Sequence, residues 1–193
     1  MSDWSAFYEA VAERPPHDTL LGALDRFEAP GFAVDLGCGD GRDTVELLRR
    51  GWWVLALDGQ EEAIRRLRER VDERAAERLE SRVARFEEAR WPEADLVNSS
   101  FALPFCPPAY FDDFWHRVRD SIGLNGRFSG QLFGERDEWR GTRDMTFHSR
   151  NDVDALLQGL ELERFDELEE DGQTATGAAK HWHVFHVVAR RRI

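Results

Sequence analysis

The pattern of apolar and polar residues along the chain changes its period repeatedly, and each period predicts a different element. Short continuous apolar runs predict buried strands at 31–36, 52–57, 83–86, 94–98, 127–133, 165–168 and 181–189. Apolar residues three or four positions apart predict helices at 17–27, 44–50, 60–80, 111–122 and 153–160. This alternation predicts an α/β fold in which a seven-stranded mixed sheet carries helices on both faces and ends in a C-terminal antiparallel hairpin.

Three positions indicate where helices begin and end. Asp18 is the predicted N-cap of the first helix, and Gly51 is predicted to end the second. Ser149 is followed three residues later by Asp152, which predicts a capping box at the start of the last helix.

Length, charge and cysteine content narrow the class of protein. A chain of 193 residues with 41% hydrophobic residues predicts a single globular domain over residues 1–193. No apolar run approaches the about 20 residues of a membrane span, and the N-terminus does not resemble a signal peptide, so we expect a cytoplasmic protein that binds no membrane. The net charge of -12 disfavours nucleic acid. Cys38 and Cys106 form neither a disulfide framework nor a thiolate metal site.

A glycine-rich turn follows the first predicted strand. Residues 34–43 are Val-Asp-Leu-Gly-Cys-Gly-Asp-Gly-Arg-Asp, and the glycines allow a tight turn with a ligand directly on the backbone. A dinucleotide fingerprint needs its third glycine where this chain has Arg42. Asp35, Asp40 and Asp43 would repel a pyrophosphate, whereas a ligand with an ammonium and a sulfonium tolerates them. The turn therefore disfavours a dinucleotide.

Asp58 provides a second indication at the end of the second predicted strand. It lies 23 positions after Asp35. In a strand–helix–strand unit, an acidic side chain at this place can accept hydrogen bonds from both hydroxyls of a ribose. Together with the glycine turn, Asp58 predicts a nucleoside site at the carboxyl ends of the first two strands.

Three stretches of the chain resemble one enzyme family. Residues 34–44 and 54–58 resemble the first two motifs of the class I S-adenosylmethionine-dependent methyltransferases, and 124–128 resembles that family's turn into the fifth strand. Within the family, the Gly41-Arg42 step and the ending at 182–186 are most similar to the small tellurite- and thiopurine-type enzymes. The resemblance implies a Rossmann-like fold, S-adenosylmethionine as cofactor and methyl transfer to an acceptor.

The resemblance also implies roles for single residues. Gly37 and Gly39 would pack against the methionine portion of the cofactor, and Asp58 would hold the ribose. Residues 86–87 occupy the place of the family's adenine contacts, and Ser99 lies where the backbone approaches the sulfonium. The expected cofactor-binding residues are Asp35, Gly37, Cys38, Gly39, Asp58, Phe86, Glu87 and Ser99.

Two aromatic-rich segments outside the predicted sheet are expected to enclose the acceptor. Residues 1–30 are expected to form an N-terminal helical lid, with a surface helix over a sheet edge as the alternative, and residues 135–149 a substrate-side flap. Together they would form a pocket of a few hundred Å³, which suits a small-molecule substrate. The residues expected to converge near the transferred methyl group are Tyr8, Phe101, Trp139 and His148. His148 is also the candidate general base if the acceptor is nitrogen or oxygen.

The histidines near the C-terminus do not predict a metal site. His181 and His183 would share one face of a strand and His186 the other, so the three would not converge on one ion.

Two other classes of protein remain open at this point. One is a nicotinamide-dependent oxidoreductase, which Arg42 and the acidic turn disfavour, and the other is a non-catalytic protein that retains the fold. The sequence does not distinguish a sulfur, selenium, tellurium, nitrogen or oxygen acceptor, nor a monomer from a homodimer.

Overall fold

The computed structural model describes residues 4–141 and 144–192. The strands are β1 (Phe32–Leu36), β2 (Trp53–Asp58), β3 (Leu79–Val83), β4 (Ala94–Ser99), β5 (Ile122–Phe133), β6 (Glu161–Gln173) and β7 (Ala179–Arg190). The helices are α1 (Ser5–Val11), α2 (Asp18–Leu24), α3 (Arg42–Arg49), α4 (Glu61–Arg70), α5 (Glu73–Ala76), α6 (Pro108–Ser121) and α7 (Arg150–Leu156). A 3-10 turn covers Leu103–Phe105.

The seven strands form one mixed sheet in the order β3-β2-β1-β4-β5-β7-β6. The first five strands pair in parallel, while β7 pairs antiparallel with both β5 and β6. The predicted α/β fold with its C-terminal hairpin is confirmed. The strand order reverses between β1 and β4, and ligands of such sheets bind outside the carboxyl ends of the strands at this switch point.

Helices cover both faces of the sheet, because side chains alternate along the strands. On β1, Ala33 packs in a cluster with residues of α2, α3 and α4, whereas Val34 packs in a second cluster with residues of α6 and α7. The largest fully buried side chains include Trp115, Phe114 and Phe128. The two apolar layers fix the positions of the strand ends that form the site. None of the helices within 4–141 and 144–192 is long and apolar enough to cross a membrane.

The prediction of one continuous helix over 60–80 is wrong. The first helix, α4, ends at Arg70, because Val71 is extended and the Asp72 side chain accepts the Ala75 N–H at 2.8 Å to cap α5. The third strand therefore runs over 79–83 instead of the predicted 83–86.

Of the two predicted N-terminal caps, one is wrong and one is confirmed. His17, not Asp18, is the N-cap residue of α2, because the His17 N–H is held in extended geometry by the Asp43 carboxylate at 2.9 Å. The capping box of α7 is present, since Ser149 accepts the Asp152 N–H and the Asp152 carboxylate accepts the Ser149 N–H.

Candidate active site

The three glycines of the turn after β1 differ in the room beside their backbones. Gly37, Gly39 and Gly41 all adopt the left-handed conformation. A Cβ added at Gly37 would lie 2.3 Å from the Ala102 Cβ, and one at Gly41 would lie 2.3 Å from the Leu67 Cδ1, so these two glycines allow close packing. A Cβ at Gly39 would meet nothing nearer than an atom of Tyr8 at 3.7 Å. Gly39 therefore has the most room beside its backbone of the three glycines, and the ring of Tyr8 borders that room.

Asp58 is held against Gly39 from the end of β2. Its Oδ2 accepts the Gly39 N–H at 2.9 Å, and its Oδ1 accepts the Gln60 N–H at 2.8 Å. Burial raises the pKa of Asp58, while the two N–H groups oppose the rise. Each carboxylate oxygen has two lone pairs, so each can still accept a hydroxyl hydrogen of a ligand.

A buried polar network lies behind the turn. The Asp35 carboxylate accepts hydrogen bonds from Thr44 Oγ1 at 2.6 Å and Asn98 Nδ2 at 2.9 Å, and the same Asn98 amide donates to Asp43 at 3.1 Å. Burial and the Asp43 charge raise the pKa of Asp35 to about 7. Burial also acts to raise the pKa of Asp43, but hydrogen bonds from His17 and other donors outweigh it and lower that pKa to about 2.

His17 connects the start of α2 to this network. Arg42 Nη1 lies 2.9 Å from His17 Nε2, and arginine can only donate, so Nε2 is the acceptor. The hydrogen of the neutral ring is therefore on Nδ1, which lies 3.1 Å from each oxygen of Asp43. Sequence reasoning missed this contact, because no local pattern joins residues 26 positions apart.

The turn after β4 is also fixed by polar contacts. Ser99 Oγ donates to the Leu36 carbonyl at 2.9 Å, next to the glycine turn. Ser100 Oγ donates to Asp43 at 2.6 Å, and the Phe101 N–H donates to Gln131 Oε1 at 2.9 Å. Sequence reasoning named Ser99 and Phe101 but missed Gln131, whose role depends on the pairing of β4 with β5.

The structure brings most of the predicted cofactor-binding residues together. Asp35, Gly37, Cys38 and Gly39 follow one another in the turn, Asp58 bonds to Gly39, and Ser99 bonds to the residue before Gly37. Phe86 Cζ would lie 3.4 Å from a Cβ at Gly37. Burial raises the pKa of the Cys38 thiol, which disfavours the reactive thiolate. Glu87 forms an ion pair with Arg85 at 2.9 Å.

An aromatic cluster lies at the carboxyl ends of β4 and β5. We use this name for Phe101, Phe105, Phe133, Trp139 and Trp182. Neighbouring rings in it have centroids 5.8–6.4 Å apart. It contains two of the residues predicted to surround the acceptor, Phe101 and Trp139.

Tyr8 joins the aromatic cluster to the glycine turn. Its buried ring adjoins Gly39 and contacts Phe7, which contacts Trp4, and Trp4 in turn contacts Phe105 at 5.3 Å. Burial and the nearby Asp58 raise the pKa of the Tyr8 hydroxyl, so it stays neutral.

His148 lies apart from the cluster, against Phe111 of α6 at 4.6 Å between ring centroids. Its buried Nδ1 has no hydrogen-bond partner among the described residues, and burial lowers its pKa to about 4. The predicted convergence of Tyr8, Phe101, Trp139 and His148 on a methyl group stays a prediction. In this structure the first three are linked by ring contacts and His148 is outside them.

A buried ion pair packs against the aromatic cluster. Lys180, the only lysine of the sequence, lies 2.5 and 2.6 Å from the two carboxylate oxygens of Asp137. Its ammonium also lies 3.7 Å from the centre of the Trp182 ring and 4.5 Å from that of Trp139. The sequence offered one indication of this site, a single lysine among 26 basic residues.

Two of the three C-terminal histidines contact carboxylates. His181 Nδ1 lies 2.7 Å from Asp171, and His183 Nε2 lies 2.9 Å from Glu167, both on β6. Within the described part of the chain, no group of three or more His, Cys, Asp or Glu residues could hold a metal ion.

Comparison with solved structures shows the same fold in several methyltransferases. TehB from Haemophilus influenzae is 16% identical with a TM-score of 0.80, and the match covers 96% of this chain but only 65% of TehB. A Burkholderia thailandensis 1,6-didemethyltoxoflavin-N1-methyltransferase with bound S-adenosylhomocysteine is 20% identical with a TM-score of 0.66, over 99% of this chain and 80% of that one. Magnesium protoporphyrin IX methyltransferase from Synechocystis PCC 6803, with bound S-adenosylmethionine, is 13% identical with a TM-score of 0.72, over 98% and 91%.

Part of the chain also matches a family of proteins in sequence. Residues 33–126 match the family described as a methyltransferase domain, and this range contains the turn, Asp58 and the end of β4. Gly39 and Asp58, which were expected to meet the methionine and ribose portions of the cofactor, are joined by one hydrogen bond. Residues 33–126 of this chain therefore match a methyltransferase domain, and the chain has the fold of S-adenosylmethionine-dependent methyltransferases.

Proposed function

We propose that this protein transfers the methyl group of S-adenosylmethionine to a small molecule bound at the aromatic cluster. The observation that carries the proposal is a series of contacts from Gly39 through Tyr8, Phe7 and Trp4 to Phe105. These contacts place the proposed cofactor position next to an apolar surface. In this proposal the protein is a single domain that works in the cytoplasm as a monomer or homodimer. It acts on neither nucleic acid nor membranes.

The proposed cofactor site uses the turn after β1 and the ends of β2 and β4. Gly39 offers its backbone to the methionine portion, and the two oxygens of Asp58 accept the ribose hydroxyls. Phe86 lies beside Gly37, where it would pack against the adenine. The carboxylates of the turn favour the positively charged ligand. When bound, the cofactor supplies an activated methyl group for direct displacement.

The N-terminal segment is proposed as a lid. Arg70 of α4 donates to the Asp40 carboxylate at 2.5 Å and to the Ala12 carbonyl at 3.1 Å, which ties the end of α1 to the glycine turn. Tyr8 then covers Gly39 and keeps water away from it. Residues 1–3 of this predicted segment lie outside the described residues.

The segment 135–149 is proposed as a flap over the acceptor. Trp139 and Met145 pack with Phe133, and the buried Asp137 anchors the segment to Lys180 of β7. Residues 142 and 143 of the flap lie outside the described residues. The flap and the lid would position the acceptor in line with the methyl group and exclude water, which suffices for a soft anionic acceptor.

The aromatic cluster contains only Phe and Trp side chains, so it supplies no general base. His148, the sequence candidate, is neutral at pH 7 because burial lowers its pKa to about 4, but its ring faces Phe111. This arrangement favours an acceptor that needs no deprotonation. The acceptors in the names of two similar structures, 1,6-didemethyltoxoflavin and magnesium protoporphyrin IX, support a small molecule as substrate class.

A screen for released S-adenosylhomocysteine tests this proposal. Purified protein is incubated with S-adenosylmethionine and a panel of thiols, selenide, tellurite, amines and phenols, with Asp58→Ala as the matched control. We expect at least one small molecule to be methylated by the wild type and much more slowly by the variant. Methylation of tRNA or a folded protein, with no small molecule accepted, would contradict the proposed substrate class.

A further inference from the structure

The turn Ser99–Phe101 is bound to a different element at each of its three residues. Ser99 Oγ bonds to the Leu36 carbonyl of β1, Ser100 Oγ to a carboxylate of α3, and the Phe101 N–H to a side chain of β5. Leu36 directly precedes the glycine turn, so this second turn borders the cofactor site. Such a number of independent contacts on three consecutive residues is more than a surface turn requires.

Phe101 is the residue for which these contacts are needed. Its φ of 54° is in the left-handed region, which a bulky side chain rarely adopts. A backbone of this kind persists only where the surroundings enforce it, and such residues cluster at functional sites. The ring of Phe101 points into the aromatic cluster, with centroids 6.2 Å from Phe133 and 6.4 Å from Trp182.

Gln131 supplies the contact that holds the Phe101 backbone. Its side-chain amide is 1% exposed and is used at both ends. The carbonyl oxygen accepts the Phe101 N–H at 2.9 Å, and the amide nitrogen donates to Thr19 Oγ1 of α2 at 2.8 Å. Gly130 allows β5 to approach the end of β4 closely, because a Cβ at Gly130 would lie 2.4 Å from the Ser99 carbonyl oxygen.

We propose that Gln131 is a positioning residue for methyl transfer: it locks Phe101 in its left-handed conformation and so sets the turn against the sulfonium side of the cofactor. The proposal rests on the proposed function. Phe101 borders the cofactor site through its backbone and the aromatic cluster through its ring. A change in its φ therefore moves the surface that the transferred methyl group meets.

The test compares the affinities of S-adenosylmethionine and S-adenosylhomocysteine, which differ only in the methyl group and the charge on sulfur. Titration calorimetry on Gln131→Met, a variant of similar size without the amide, gives the ratio of the two dissociation constants. We expect S-adenosylmethionine to weaken at least fivefold relative to S-adenosylhomocysteine. Thr19→Val is the matched control, because it removes the hydrogen bond between Gln131 and Thr19 but keeps the one to Phe101, and it should leave the ratio within twofold of wild type.

Each outcome of this titration decides between the two proposals. A folded Gln131→Met that binds both ligands with the wild-type ratio overturns the role of Gln131 but leaves the proposed function intact. A wild-type protein that binds neither ligand overturns the proposed function itself. If Gln131→Met does not fold, Gln131→Asn replaces it, since that side chain keeps an amide but is one methylene too short to reach Phe101. The same fivefold criterion applies.

Discussion

The buried carboxyl of Asp35 should make the stability of the protein depend on pH in a defined direction. Asp35 is 2% exposed, and burial together with the charge of Asp43 raises its pKa to about 7 from 3.8. Between those two values the folded protein binds a proton that the unfolded chain does not. Stability is therefore highest below the unfolded pKa and decreases as the pH rises towards 7.

Asp35→Asn should remove this loss of stability. The asparagine oxygen can accept from Asn98, and its amide can donate to the hydroxyl of Thr44, so the network stays paired. A shift of about three pH units corresponds to about 4 kcal/mol, and sharing of the proton with Asp43 reduces it to on the order of 2 kcal/mol. The variant should therefore gain about 2 kcal/mol over wild type at pH 8 compared with pH 5.

Urea unfolding of both proteins at pH 5 and pH 8 measures this difference. Asp43→Asn is the control with the opposite sign. In the folded wild type the pKa of Asp43 is about 2, below its value in the unfolded chain. The stabilising contribution of the Asp43 carboxylate is therefore complete at both pH values. Asp43→Asn should lose less stability relative to wild type at pH 8 than at pH 5, because removal of the Asp43 charge also lowers the pKa of Asp35. An equal effect of Asp35→Asn at the two pH values would refute the raised pKa.

Two further substitutions test the glycine turn and the buried ion pair. Gly39→Val should weaken S-adenosylhomocysteine binding more than tenfold by calorimetry, since its side chain occupies the ligand position. Gly177→Val, at a glycine that is also left-handed but has nothing within 4 Å of an added Cβ, should leave binding unchanged; equal affinities would argue against the assigned turn. Lys180→Met should destabilise the protein by about 3–5 kcal/mol in urea unfolding, because it leaves Asp137 buried and unpaired. The double variant with Asp137→Leu should recover most of that loss, and no recovery would show that the unpaired charge is not the cause.

The glycine turn and the place of Asp58 at the end of a strand could be predicted, because both depend on local sequence. Glycine at left-handed positions and an acid at the next strand end are both visible along the chain, and the structure joins them by the bond from Gly39 to Asp58. Gln131 and His17 could not be predicted in the same way. Gln131 bonds to Thr19, 112 positions away, and only the strand order brings the two together.

The error at residues 60–80 has a different origin. Leu79 fits both the apolar stripe of a continuous helix and the first residue of a strand, so its spacing alone does not decide between them. The helix is interrupted at the extended Val71, and the Asp72 side chain then caps a new helix. An aspartate within an Arg- and Glu-rich segment was indistinguishable from a solvated helix residue.

Calorimetric titration of wild type and Asp58→Ala with S-adenosylhomocysteine and NAD tests the assignment of the site most directly. We predict that the wild type binds S-adenosylhomocysteine and gives no binding heat with NAD. Asp58→Ala should stay folded and lose about 1–3 kcal/mol of binding free energy, because the ribose hydroxyls lose a charged hydrogen-bond acceptor. Preferential binding of NAD, or wild-type affinity in Asp58→Ala, would contradict the assignment.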